Sequence, residues 1–318
     1  MVDWESVKYI LKNEGLKSLS REAIYYNKKT YNRYLSNIKN LDKNSTNVYE
    51  KEWDLLIVLD SCRFDLMKKL ANNYRFINKV ESIYSVGAQS LEWMENTFDN
   101  NECCDTTYIT SNMFSNKLDK SKFNNLEKVK EVWKYGWNNE LGVTPPRKVS
   151  EEVIRHHRDN RNSRTIAHYM QPHEPFIEPQ YTEAFFSNNT DFKEEVKNWG
   201  QRKGNKPIWE HLRDGDISKT EVWEDYKNNL ELALNEVSVL LNNVEFDNVV
   251  ITSDHGNAMG ENGFYGHPYG VHDKYIRTVP WIEVGGTTDN QTIKPKKSDK
   301  KPDGKSVEEK LRALGYKE

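Results

Sequence analysis

The stretch Trp53-Asp54-Leu55-Leu56-Ile57-Val58-Leu59-Asp60-Ser61 decides the fold class. Its apolar run is too short for a helix and too continuous for a strand with one wet face. Such a run predicts a parallel strand buried on both faces. It stops abruptly at Asp60, and Arg63 to Leu70 resumes with helical spacing.

The same pattern recurs along the chain. Thr107-Tyr108-Ile109-Thr110, Thr165-Ile166-Ala167-His168-Tyr169-Met170 and Asn248-Val249-Val250-Ile251-Thr252 read as three further strands. Between the last two lies the clearest helix, 221–244. There Tyr226, Leu230, Leu234, Val237, Leu241 and Val244 recur every three or four residues. Strands alternating with helices predict an α/β fold built on a mostly parallel sheet. In such sheets ligands bind beyond the carboxyl ends of the strands. Asp60, His173 and Asp254-His255 each follow a strand, so one sheet edge collects them.

Three regions bracket or interrupt this core. Residues 1–46 are expected to form a helical N-terminal extension, with Val7, Ile10 and Leu11 on one stripe. Residues 47–290 are expected to form the main α/β domain, with a polar surface insertion at 180–220. Residues 291–318 are expected to be a linker, rich in Lys, Asp, Pro and Gly, and a short terminal helix over Val307–Leu314.

Composition narrows the function classes. The chain has 318 residues, 12% aromatic and 30% charged, enough for a sizeable core. No apolar stretch approaches the ~20 residues that span a bilayer, and Met1 to Glu5 lacks signal-peptide character. Cys62, Cys103 and Cys104 have no metal-type spacing and fit a reducing compartment. The expected location is therefore cytoplasmic. Net charge is −3; residues 1–46 and 294–318 each carry nine Lys/Arg against five Asp/Glu, +4 apiece, which leaves −11 between them. An acidic middle argues against nucleic acid as a partner. The basic ends leave open a peripheral contact with an anionic membrane, or are simply solvated.

The chemistry-bearing residues cluster after strands. In Ser253-Asp254-His255-Gly256 a carboxylate and an imidazole stand side by side, a pairing suited to a divalent ion such as zinc or manganese. The adjacent glycine permits close backbone approach. Alone, this pair is more often a hydrogen-bonded surface feature. The glycine-rich run Gly260 to Gly270 then returns His267 to the same place. Asp60 is either a helix N-cap or a ligand. His173 lies beyond its strand and is favoured over His168, which lies within it and can be a core histidine. Ser90, in Ser85-Val86-Gly87-Ala88-Gln89-Ser90-Leu91-Glu92-Trp93, sits near a helix start. It is either a cap or a nucleophile beside an anion-binding helix end, and spacing does not separate the two. Asp65 is expected to face solvent. The 180–220 segment and the loops near Trp133 and Trp137 are expected to shape the substrate pocket.

Together, four stretches resemble the alkaline phosphatase superfamily, in particular its sulfatase-like and phosphoethanolamine-transferase-like branches. They are Val58 to Asp65, Ser85 to Trp93, His168 to Phe176, and Thr252 to Trp281, in the family's order. The last, with Ser-Asp-His-Gly, Gly-Glu-Asn-Gly, His267 and Val279-Pro280-Trp281, is the most specific. Leu311 to Tyr316 resembles the tail of many sulfatase-like chains. The resemblance implies an alkaline-phosphatase-like sheet flanked by helices on both faces. It implies one or two divalent ions, zinc or manganese first, magnesium or calcium left open. Asp60, Ser90, Asp254 and His255 match the positions that hold the principal metal, and Ser90 matches the nucleophile. His173 and His267 match positions for a second metal or the substrate's anionic group. His168, His272 and Asp273 stand in as substitutes, and Arg63 is placed to neutralise the ester.

The implied reaction is hydrolysis or transfer of a phosphate or sulfate ester through a covalent phospho-serine. The substrate would be a small-molecule, glycan or lipid-headgroup ester. The Cys/Ser-x-Pro/Ala-x-Arg motif of formylglycine sulfatases is absent around Cys62, Cys103-Cys104 and Ser90, and Ser61 stands where those enzymes carry a second Asp. Phosphate is therefore favoured over sulfate. A sulfatase without formylglycine, a phosphomutase and a non-catalytic glycan-binding relative are the alternatives.

Overall fold

β1 (Leu55–Leu59) is buried at all five positions, as its unbroken apolar run requires. It lies inside a seven-stranded sheet of order β2-β9-β6-β1-β5-β3-β4. The other strands are β2 (Glu81–Tyr84), β3 (Thr106–Thr110), β4 (Lys128–Glu131), β5 (Arg164–Tyr169), β6 (Val249–Thr252) and β9 (Thr278–Glu283). β1 runs parallel to β5, with Leu55 opposite Thr165, and parallel to β6, with Leu55 opposite Val249. β3 and β4 continue the parallel order. Only β9 reverses it, antiparallel to β6 and to β2. A separate short hairpin pairs β7 (Ala258–Met259) with β8 (Tyr265–Gly266). The fold is α/β, with a mostly parallel sheet. The structure, a computed structural model, describes residues 12, 15–39, 41–99, 104–119, 121, 126–160, 164–181 and 207–285.

Alternation along β1 divides the core in two. Leu55, Ile57 and Leu59 join a cluster with Val149 and Val153 of the helix Pro146–Asp159 and Tyr226, Leu230 and Leu234 of the helix Lys219–Leu241. Leu56 and Val58 join another with Trp93 and Met94 of the helix Ser90–Thr97. Helices thus cover both faces. The start of Lys219–Leu241 is set by a capping box: Glu221 N donates to Ser218 Oγ (3.3 Å), and Ser218 N to Glu221 Oε2 (3.0 Å).

The helix Gly15–Lys39 packs back on the sheet domain. Tyr25 donates from its hydroxyl to Tyr265 O (2.6 Å), Arg33 Nε to Tyr269 O (2.7 Å) and Asn32 Nδ2 to His272 O (3.1 Å). Val7, Ile10 and Leu11 lie outside the described residues, as do most of the 180–220 insertion, the 291–318 linker and helix, and the Leu311–Tyr316 motif. The end of the expected insertion is no surface loop. The helix Ile208–Asp214 sends Ile208, Trp209 and Leu212 into the core, because these apolar residues recur at helical spacing. Among the described residues no helix is long and apolar enough to cross a membrane.

Candidate metal centre and nucleophile

The ends of β1, β5 and β6 lie side by side, so the residues after them meet. Just past β1, Ser61 turns the chain with φ of 63°. Ser253 ties this turn to β6: its hydroxyl accepts from Cys62 N (2.8 Å) and donates to Leu59 O (2.5 Å). Asp60 and Asp254 are thereby drawn together. Gly256 permits the next step. A Cβ there would lie 2.3 Å from Tyr275 O, where Gly256 N instead donates to Ile276 O (2.6 Å). Gly87 does the same before Ser90, since a Cβ would meet Trp93 N at 2.3 Å.

Asp60, Asp254 and His255 are fully buried, and one ligand atom from each lies within 4.8 Å of the others. His255 Nε2 is 3.6 Å from Asp60 Oδ1 and 3.4 Å from Asp254 Oδ2. Ser90 Oγ is 3.2 Å from Asp60 Oδ2 and 3.4 Å from His255 Nε2. His255 Nδ1 faces Gly256 O at 2.8 Å, which assigns its proton to Nδ1 and its lone pair to Nε2. Asp254 Oδ1 accepts from Ser61 N (3.1 Å) and His255 N (2.8 Å), while Oδ2 is buried without a hydrogen-bond donor. This set fits a divalent cation. Ligands held at about 2.0–2.1 Å in a tetrahedron stand about 3.3 Å apart, close to the separations found here. An orphaned buried carboxylate oxygen needs such a partner.

Electrostatics agree with the geometry. Burial first, then the charge of Asp254, pushes the Asp60 carboxyl well above the ordinary range, against hydrogen bonds from Asn112, Ser90 and Ser61. Burial also works to raise Asp254, but His255 and His168 outweigh it and hold that carboxyl low. Burial lowers His255, lowers His173 to about 4, and drives His267 well below its usual value.

The remaining expected residues divide sharply. Ser90 is the first residue of its helix and makes no cap; Gln89 holds that position. Asp60 caps nothing either, since the following helix, Phe64–Leu70, has Arg63 at its N-cap. His267 is brought in as expected: its ring lies 4.5 Å from His255 and 5.0 Å from His173, centroid to centroid. Its Nδ1 faces Asn257 Oδ1 at 3.0 Å, and His173 Nδ1 faces Glu174 O. His168 stays in β5, with Nδ1 bonded to the Tyr108 hydroxyl (2.7 Å) and Nε2 3.6 Å from Asp254 Oδ2, so it backs the carboxylate from behind.

Four expectations are corrected. Arg63 does not face the ester. It is buried, bonded by Asp65 (2.9 and 2.6 Å) and Glu261 (3.0 Å), and sandwiched between Trp223 and Tyr275. Two acids and two rings out-compete any ligand for a guanidinium. His272 is no substitute ligand, because it stacks on Tyr84 and its backbone is tied to Asn32. Asp273 caps the helix Lys274–Arg277 by accepting from Tyr275 N (2.8 Å). Trp133 lies in the core and does not shape the cleft.

Other residues are added by the structure. Asn112, after β3, donates to Asp60 Oδ2 at 2.6 Å. Its position one residue past a strand-end serine was the available signal. Glu92 accepts from Ala88 N (2.9 Å) and Gly270 N (3.1 Å), which ties the Ser90 helix to the His267 loop. A cleft of about 600 Å³ opens over His173 and His267, walled also by Trp209, Tyr265 and the helix Gly15–Lys39.

No protein-family model matches the chain, and no curated protein matches it. Solved structures do. The soluble domain of lipooligosaccharide phosphoethanolamine transferase A from Neisseria meningitidis is 15% identical, over 72% of this chain and 75% of that one, with a TM-score of 0.46. The integral membrane form of that transferase gives 14%, 79% of this chain, 53% of that chain and 0.48; this chain spans about half its length. A protein in the alkaline phosphatase superfamily from Vibrio parahaemolyticus gives 11%, 78%, 64% and 0.41.

Proposed function

We propose that this protein is a metal-dependent enzyme that hydrolyses or transfers phosphate esters through Ser90. One observation carries the reading: Ser90 Oγ stands within 3.4 Å of both Asp60 Oδ2 and His255 Nε2, in a buried group that also leaves Asp254 Oδ2 without a donor. Asp60, Asp254 and His255 would hold the ion, zinc or manganese by their mixed carboxylate and imidazole donors. Bound there, it would lower the Ser90 pKa and screen the charge that develops on the ester oxygens.

Ser90 Oγ, its proton released to water, attacks phosphorus; the bond from phosphorus to the ester oxygen breaks, that oxygen leaves as an alcohol by taking a proton from water, and a phospho-serine forms. Water or an acceptor alcohol then displaces Ser90. His173 is neutral at pH 7 because burial lowers it to about 4. With its proton on Nδ1, it has Nε2 for accepting a proton from that water or alcohol. His267, lowered by burial and by its two histidine neighbours, supports the same task. Asn112 aims Asp60, and His168 sets Asp254. Positioning and charge neutralisation carry most of the acceleration in such transfers. The described residues assemble one carboxylate–imidazole group, so one ion is the simplest count. The substrate class is a small-molecule, glycan or lipid-headgroup ester.

The test compares aryl phosphate mono- and diesters with aryl sulfates, using protein loaded with zinc or manganese. Phosphate turnover that chelation abolishes is expected. Ser90→Ala should keep the metal and lose at least about 10³-fold in rate, and mass spectrometry of trapped enzyme should find the phosphate on Ser90. Full activity in Ser90→Ala removes the nucleophile. Faster sulfate turnover moves the reading to a sulfatase without formylglycine. No bound metal and no turnover leave a non-catalytic binding fold.

A further inference from the structure

The helix Gly15–Lys39 turns two different faces outward and inward. Tyr25, Lys29 and Arg33 wall the cleft. Leu16, Ile24, Tyr31 and Tyr34 point to solvent, 77%, 68%, 62% and 60% exposed. At 3.6 residues per turn these four fall within about 80° of one another, and the cleft-facing residues fall on the other side. Lys17, Arg21 and Lys28, all exposed, follow along one edge of the stripe. Arg21 also stands 3.9 Å from Asp214.

Solvent alone gives no reason to gather a leucine, an isoleucine and two tyrosines on one stripe. The charge says what fits them. The helix carries six Lys/Arg against one Glu, in a chain whose middle is strongly acidic. Positive charge is thus concentrated on the element that exposes apolar and tyrosyl groups. Apolar side chains, aromatic rings with a polar tip and a basic flank are the chemistry of a helix lying in a lipid interface. Nucleic acid would use the lysines but not Leu16 or Ile24.

We propose that the helix Gly15–Lys39 docks the protein on an anionic lipid surface. Leu16, Ile24, Tyr31 and Tyr34 seat at the interface, and Lys17, Arg21 and Lys28 lie against the headgroups. Because the opposite face walls the cleft, docking sets that wall about 10 Å, one helix diameter, from the lipid. The proposal does not depend on the reaction at Ser90.

The experiment is co-sedimentation of the full chain with phosphatidylglycerol-containing vesicles and with phosphatidylcholine vesicles. Binding is expected to be at least about tenfold tighter to the anionic vesicles and to fall about tenfold in high salt. Lys17→Glu/Lys28→Glu should weaken it by about tenfold or more. Ile24→Ser/Tyr31→Ser, which leaves the charge unchanged, should weaken it about fivefold or more. All these positions are exposed, so wild-type circular dichroism is expected and confirms folding, with melting lowered only slightly where Lys28 leaves the Phe264 ring. Equal, weak binding to both vesicle types overturns the proposal. So does full binding by the Ile24/Tyr31 variant, which would reduce the effect to unspecific charge. Loss of self-association in that variant, without any vesicle effect, would assign the stripe to a second copy of the chain instead.

Discussion

Asn112 Nδ2 donates to Asp60 Oδ2 at 2.6 Å, so a side chain from the end of β3 aims the carboxylate at the end of β1. The amide is itself fixed, because its Oδ1 accepts from Phe114 N (2.8 Å) and its backbone N donates to Thr110 Oγ1 (2.9 Å). Partners that orient a ligand are worth roughly ten- to a hundredfold in metal affinity. Asn112→Ala should therefore weaken zinc or manganese binding by about that factor, read by competition with a chromophoric chelator. Unchanged affinity would show that Asp60 needs no such support.

Arg63 joins the turn after β1 to the loop that carries His267. Its Nη1 donates to Asn257 O (3.0 Å), and the Asn257 side chain faces His267. Glu261, the other partner of Nη1, is held low at about 2, with burial opposed by Lys219 and Arg63. Removing the buried guanidinium leaves Glu261 to Lys219 alone and breaks the packing between Trp223 and Tyr275. Arg63→Leu should cost about 3 kcal/mol by urea unfolding and slow turnover, while the metal stays bound. A variant as stable as the parent would make Arg63 dispensable for the loop.

Gly256→Ala places a Cβ 2.3 Å from Tyr275 O, a backbone atom that has no room to yield. The expected loss is on the order of 3 kcal/mol, accompanied by loss of metal binding, since His255 is the adjacent residue. A calorimetric scan with and without zinc reads both. Gly142→Ala, at a φ of 65° with nothing within 4 Å of the added Cβ, carries backbone strain alone, about 1–2 kcal/mol, and sets the loss that needs no close approach.

Glu174 and His173 give opposite pH dependences. Burial pushes Glu174 up to about 8, and burial lowers His173 to about 4. For Glu174 the folded state binds more protons than the unfolded state between about pH 4.5 and 8, so stability falls as pH rises through that window. For His173 the unfolded state binds more between about pH 4 and 6.5, so stability falls as pH drops. Of these two, only Glu174 still acts above pH 6.5; Asp60, raised as well, adds the same slope to the parent and to a Glu174 variant. The metal-free protein should lose about 2 kcal/mol between pH 6.5 and 8, and Glu174→Gln should lose much less. Urea midpoints at the two pH values decide it, and identical slopes in both proteins would remove Glu174 as the cause.

Some of this was legible in the chain alone. The apolar run before Asp60 determines a buried parallel strand because a strand wetted on neither face has no polar positions to alternate. Three such runs ending at Asp60, near His173 and at Asp254 place the site at one sheet edge, since parallel strands end on the same side. Other assignments depended on long-range contacts that local pattern does not carry. Whether Ser90 capped its helix or faced Asp60 was open, and a hydroxyl's partner 30 positions away decided it. Arg63 read as an anion ligand until Glu261, Trp223 and Tyr275 were found around it. The helix at 15–39 read as an extension, and tertiary packing made it a wall of the cleft. Periodicity reports which face of an element is apolar; which other element meets that face, and which polar groups it brings, is settled only when the chain has closed on itself.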